Sequence, residues 1–285
     1  MERVRNIPVT GVDGRTFLLD VTYPAHQPVR GRIVFIHGFK GFKDWGHWSL
    51  IAEHFARAGY LFAAFNFSHN GTTPAAPTEF RDLEAFGANT FTKELADLEA
   101  CLDWLDGQGT ELENLNSNRE PFTLIGHSRG GPIALIKAFE DNRVNYLITW
   151  ASVARLDYAW PDQAFIDQWK EDGKYTVING RTGQEMPLYY SLYEDFLAAG
   201  ERLQTRSIAP RMAQPWLIQH GTADPAVTEA AARQLAAWNP RAELHLIEGA
   251  DHVFGASHPY ESDELPVHSR ELLDRCVSFL EQQMS

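Results

Sequence analysis

Apolar positions along the chain fall into short near-continuous runs and longer stretches at helical spacing, and the two kinds take turns. Residues 4–10 and 16–23 alternate as strands do, around the turn signal Val12-Asp13-Gly14, which predicts an antiparallel hairpin. The run Arg32-Ile33-Val34-Phe35-Ile36-His37 is rich in β-branched residues and stops at Gly38, the look of a strand covered on both faces. Helical spacing over 48–58 ends at Gly59, a suitable C-cap, and a second buried strand spans 60–67. A helix over 91–105, a strand over 121–125, a helix over 128–140 and a strand over 145–150 continue the alternation. Such alternation implies βαβ crossovers, hence an α/β fold with a mostly parallel central sheet flanked by helices.

The pattern breaks at about Ser152. From 152 to 214 the chain is rich in Trp, Tyr and Phe, with a helix expected over 161–171, a short strand or turn over 175–183 and a helix over 188–199. Regular alternation resumes with a strand at 215–219, a helix at 228–238, a strand at 243–247 and a closing helix at 268–282. The 285 residues read as a single α/β domain carrying a helical cap insertion at about 152–214.

Charge and cysteine usage narrow the function classes. Acidic residues outnumber basic ones 38 to 25, and no run of Lys or Arg is present, so neither nucleic acid nor an anionic membrane is an expected partner. Cys101 and Cys276 lie far apart inside predicted helices and form neither a disulfide framework nor a CxxC pair, which points to a reducing compartment. The N-terminus has no apolar h-region and no stretch reaches the ~18 apolar residues that span a bilayer. A cytoplasmic location is the expectation.

The sharpest local signal is Gly126-His127-Ser128-Arg129-Gly130-Gly131, a G-x-S-x-G placed directly between a strand and a helix. A serine on such a strained turn needs small neighbours because strand and helix approach closely there. Alone, the pattern also fits a glycine-rich turn without chemistry. Two downstream segments favour chemistry: His220-Gly221-Thr222-Ala223-Asp224 after one strand, and Gly249-Ala250-Asp251-His252 after the next. The order Ser, Asp, His at the C-terminal ends of parallel strands is that of a hydrolase triad. In this reading Ser128 is the nucleophile, His252 the general base and Asp224 the acid that orients the imidazole. Asp251 is a poor rival, since consecutive side chains in a loop seldom aim at one point. The backbone N–H groups of Arg129 and of Phe39, in His37-Gly38-Phe39-Lys40-Gly41, are the candidate oxyanion donors.

On these motifs the chain resembles the α/β-hydrolase superfamily, nearest in style to dienelactone-hydrolase-like and prolyl-oligopeptidase-like esterases and acyl-peptidases. The resemblance covers about 31–150 and 215 to the C-terminus. It implies a serine hydrolase acting on a small-molecule ester, less readily on an amide or peptide, with no cofactor, as a monomer or homodimer. Many relatives carry an acidic residue ahead of a glycine where this chain has Asn66-Phe67-Ser68-His69-Asn70-Gly71.

Candidate substrate contacts are His37, Lys40, His69, Trp160 and Tyr190. His69, Lys40, Lys43 and Arg129 could form a cationic rim for a carboxylate-bearing substrate, or could pair with the acidic surface. Trp160, Tyr190 and their aromatic neighbours could line an acyl pocket or pack the cap. The histidines show no H-E-x-x-H spacing, so no metal is expected. An acyltransferase with the same triad and a non-catalytic ligand-binding protein on a hydrolase fold are the competing functions.

Overall fold

The computed structural model of the protein describes residues 1–107 and 120–284. In chain order the first elements are β1 (Glu2–Thr10), β2 (Thr16–Tyr23), β3 (Arg32–Ile36), α1 (Trp48–Arg57), β4 (Leu61–Phe65), α2 (Leu83–Gly87) and α3 (Phe91–Asp106). Next come β5 (Phe122–His127), α4 (Gly130–Glu140), β6 (Val144–Trp150), α5 (Gln163–Asp172), β7 (Lys174–Ile178), β8 (Glu185–Tyr189), α6 (Ser191–Ala199) and α7 (Thr205–Ile208). The chain closes with β9 (Trp216–Gly221), α8 (Ala230–Trp238), β10 (Glu243–Ile247) and α9 (Val267–Gln283). Eight strands form one sheet in the order β1-β2-β4-β3-β5-β6-β9-β10. The β1·β2 and β2·β4 pairs are antiparallel, and every later pair is parallel. This is the α/β architecture expected from the alternation of periods.

Successive side chains of a strand point to opposite faces, so a strand buried on both sides must be apolar at every position. β3 obeys this: Ile33 and Phe35 join a core with α1 and α9, whereas Val34 and Ile36 join the core beneath α3, α4 and α8. Cys276 of α9 and Cys101 of α3 are both buried, one in each core, and both are free thiols. No helix among the described residues is long and apolar enough to cross a membrane.

Between β6 and β9 the chain leaves the sheet for α5, the β7–β8 hairpin, α6 and α7. Helix α6 packs on α3, and β8 packs on α2. Of the helix expected over 188–199, Leu188 and Tyr189 instead belong to strand β8. Its buried positions Met186 and Leu188 alternate with more exposed ones, and Leu188 and Tyr189 pair with Tyr175 and Lys174 of β7. Helix α2 has no counterpart in the sequence reading; it is a short helix capped by Asp82, whose carboxylate accepts the Ala85 N–H at 2.9 Å.

Helix α4 begins almost in contact with the sheet. A Cβ built on Gly130 would lie 2.4 Å from the Ile36 carbonyl oxygen of β3, and one on Gly126 would lie 2.4 Å from the Gly130 oxygen. Alanine is worth up to about 1 kcal/mol over glycine within a helix. At Gly130 the collision is with backbone, which cannot swing aside, and overpacking of this kind costs about 1–3 kcal/mol. Gly130→Ala is therefore expected to destabilise the protein despite the better helix former, seen as a lower denaturant midpoint at unchanged slope.

Candidate active site

Loops at the C-terminal ends of β5, β9 and β10 meet above the sheet, where parallel strands present their ligands. Ser128 leaves β5 with φ +55°, in the left-handed region that a non-glycine residue occupies only under constraint. The constraint is visible: its N–H donates to the Trp150 carbonyl at 2.9 Å, and its carbonyl accepts from the Gly131 N–H at 3.0 Å. The side chain of Asp224, in the turn after β9, is fully buried. One of its oxygens accepts the Ala226 and Val227 N–H groups at 2.8 and 2.9 Å. The other accepts from His252 Nδ1 at 2.7 Å, and His252 Nε2 lies 3.1 Å from Ser128 Oγ. Asp251 is turned into its own loop, where it accepts the Val253 and Gly255 N–H groups at 3.1 and 2.8 Å.

Burial alone would raise the Asp224 carboxyl, but hydrogen bonds from His220, His252 and the Val227 amide outweigh it and hold the group well below the usual carboxylate range. Asp224 is thus an anion at any physiological pH. His127, beside Ser128, donates from Nε2 to the backbone carbonyl of His252 at 2.9 Å. Burial, reinforced by the neighbouring His252, pushes its imidazole down to about 3. The residue is neutral and ties the His252 loop to β5. Sequence reasoning gives it no role, because its partner lies 125 positions away.

The loop after β3 closes the site from the other side. Gly38 lies so near that a Cβ there would sit 2.8 Å from Ser128 Cβ. His37 holds this loop: Nδ1 donates to the Gly38 carbonyl at 2.9 Å, and Nε2 accepts the Phe67 N–H at 3.4 Å. Burial pushes its imidazole down to about 4, so it too is neutral. Asn66, in the segment where an acid is expected of relatives, accepts the Lys43 N–H at 2.7 Å and so braces the same loop. Between this loop and the His252 loop lies a cavity of about 140 Å³, walled by Phe39, Trp45, Trp48, Val253, Ser128 and His252.

Of the candidate substrate contacts, His37 and Lys40 reach this cavity, as does Phe39 of the candidate oxyanion donors, whereas His69, Trp160 and Tyr190 do not line it. Trp160 packs on Phe91, Tyr193 and Phe196, and Tyr190 on Trp169 and Tyr193. The cationic rim is not formed. Burial and the nearby Lys93 charge push His69 down to about 4, and its Nε2 accepts from Lys93 Nζ at 3.3 Å. Lys43 is fully buried between Asp20 and Asp44, Arg129 is paired with Glu94, and Lys40 donates to the Ile178 carbonyl at 2.9 Å. For His69, Lys43 and Arg129 the cause is the same, since a buried charge must find a partner or be lost; Lys40 is partly exposed and keeps its place at the cavity. Trp45, Trp48 and Val253, like His127, are cavity residues that sequence reasoning passes over, since an aromatic or aliphatic side chain in or beside a loop carries no local sign of facing a site. No group of three or more potential metal ligands occurs among the described residues.

His37, His47, His69 and His127 are all buried with imidazoles held at about 3 to 4, against an ordinary value of 6.5. Below pH 6.5 the unfolded chain binds protons that the folded chain refuses, so stability is intact above about 6.5 and declines as pH falls toward 4. Denaturant midpoints measured across that window should drop steadily, and a flat profile would mean that these imidazoles are not held neutral by the fold.

Comparison with known proteins agrees with this architecture. Among curated proteins none matches the chain significantly. Est1E from Butyrivibrio proteoclasticus superposes with a TM-score of 0.69 at 17% identity, over 99% of this chain and 99% of that one. The esterase domain of a Rhodothermus marinus protein gives 0.65 at 17% identity, again over 99% of each chain. A putative hydrolase from Agrobacterium vitis S4 gives 0.69 at 21% identity, over 100% of this chain and 99% of that one. At such identities the likeness concerns the fold. The profile described as the alpha/beta hydrolase family matches residues 33–262, from β3 to beyond the His252 loop, and the chain belongs to that family.

Proposed function

We propose that the protein is a serine hydrolase that cleaves carboxylic esters through an acyl-enzyme on Ser128. The observation that carries this reading is the unbroken line Ser128 Oγ, His252 Nε2, His252 Nδ1, Asp224 Oδ2, with separations of 3.1 and 2.7 Å at its two hydrogen bonds. His252 takes the hydroxyl proton as Oγ attacks the ester carbonyl, and Asp224, already an anion, stabilises the imidazolium without taking the proton itself. The carbonyl oxygen becomes an oxyanion opposite the backbone N–H groups of Phe39 and Arg129. Collapse of the intermediate breaks the carbon–oxygen bond, and the departing alcohol receives the proton from His252. Water then repeats the sequence on the acyl-enzyme, giving the acid and free Ser128.

The cavity supports a limit on what is bound. At about 140 Å³ it compares with the roughly 150 Å³ engineered cavity that takes up benzene, so it holds one ring or a short chain. The segment between β6 and β9 serves as a cap in this reading. The Lys40 to Ile178 hydrogen bond joins its hairpin to the loop after β3.

Ser128→Ala and His252→Ala should each lower turnover of activated esters by about 10⁴-fold or more, because the two act as one unit. Asp224→Asn should cost somewhat less, and Asp251→Asn should leave the rate near that of the parent enzyme. A fluorophosphonate probe should label Ser128, read by peptide mapping; a label elsewhere, or a Ser128→Ala enzyme at full rate, would sink the assignment. Trp45→Ala should shift the kcat/KM ratio toward bulkier esters by about 10-fold or more, as removal of a pocket wall does. An unchanged ratio would place the discriminating contact outside this cavity.

A further inference from the structure

Glu94 has no part in the chemistry above, yet its side chain is only 2% exposed. It lies in the first turn of α3, and its Oε1 accepts from Arg129 Nη2 at 2.5 Å and from Asn89 Nδ2 at 2.7 Å. Desolvation offsets most of the attraction in a buried ion pair, so stability alone is a weak reason for keeping one. What the pair orients is a better reason. Arg129 directly follows Ser128, and its guanidinium carbon sits 4.5 Å from the ring centroid of Phe39, with Phe91 at 5.8 Å. The Phe39 ring also rests on Phe86 at 5.6 Å. Residues that belong to two different loops, the turn after β5 and the loop after β3, therefore touch through their side chains.

The frame that holds Glu94 is itself anchored. Thr90 caps α3 by accepting the Lys93 N–H at 3.3 Å, and the Thr92 N–H donates to Asp195 of α6 at 3.1 Å. The guanidinium is thus fixed at one end by a buried carboxylate on a rigid helix and covered on its face by the Phe39 ring. Loss of the carboxylate would release the guanidinium, and with it the platform on which Phe39 rests.

We propose that Glu94 is a positioning residue for the oxyanion hole: by clamping Arg129 it holds the Arg129 and Phe39 amides at the spacing that the tetrahedral intermediate requires. The proposal rests on the acyl-enzyme reading of Ser128. It gives the buried pair a kinetic signature, because donors aimed at the oxyanion act on the transition state and barely on the bound ester.

The test uses p-nitrophenyl acetate and the full-length protein. Glu94→Gln removes the charge at constant volume, and the double variant Glu94→Met/Arg129→Met removes the clamp without leaving a buried charge unpaired. In both, kcat should fall by about 10- to 100-fold with KM within about two-fold. Phe39→Leu should lose a similar factor, and adding Glu94→Gln to it should cost little more, since both break the same clamp. A Glu94 that served structure alone would lower the thermal midpoint and leave kcat of the folded enzyme intact. That result in Glu94→Gln and in the double variant, with Ser128→Ala still silent, overturns this inference alone. Activity persisting in Ser128→Ala overturns the acyl-enzyme reading together with it.

Discussion

The near-contact of α4 with β3 and β5 governs the geometry above the sheet. With Gly130 against the Ile36 carbonyl and Gly126 against Gly130, the chain has no room to turn gradually, and Ser128 is forced to φ +55°. A residue in that conformation lifts its side chain clear of the strand, toward the loops that follow β9 and β10. The cost of the strained backbone is met by the hydrogen bonds to Trp150 and from Gly131 on either side. Helix, sheet and turn are therefore one mechanical unit, and the position of the hydroxyl follows from backbone packing rather than from contacts of its own.

Around that unit, polarity is handled by two opposite means. Asp224 is kept charged in a buried place by four donors, among them two backbone amides, whereas the buried His37, His47, His69 and His127 are kept uncharged. The neutral imidazoles serve as directional links: His37 holds the loop after β3, His127 holds the carbonyl of His252, and His47 reaches Ser269, which in turn donates to Phe254 in the loop that follows His252. Lys43 and Arg129 are paired with carboxylates, which leaves Lys40 as the cation named above that reaches the cavity.

Strand and helix periods make the sheet legible in the amino-acid sequence, because strands covered on both faces leave an apolar run that little else imitates. Ser128, Asp224 and His252 are legible for a related reason, since their order and their places after strands restrict where the fold can take them. The end of β8 passes for the start of a helix because its apolar residues run straight into those of α6, and what separates the two is the burial alternation of Met186 and Leu188 and the pairing with β7. Contacts such as Arg129 with Glu94, or Lys40 with Ile178, link positions 35 and 138 residues apart and leave no local trace. The same holds for the histidines: whether an imidazole is neutral depends on burial by distant segments, which spacing does not encode. Trp160 and Tyr190 belong to an aromatic cluster in which packing and pocket-lining residues share one helical period, so their sequence positions do not tell the two roles apart.

The two cysteines have a practical side. Both thiols are sealed in the cores, and burial raises each well above its usual value, with Cys276 also donating to Gln219 at 2.9 Å. A buried protonated thiol is a poor nucleophile. The native chain is therefore silent toward maleimide and related labels while folded, and a single cysteine introduced on an exposed position such as Leu197 of α6 would carry a fluorophore or spin label alone. The molecule comes ready for distance measurements across its own surface, with no background thiols to remove.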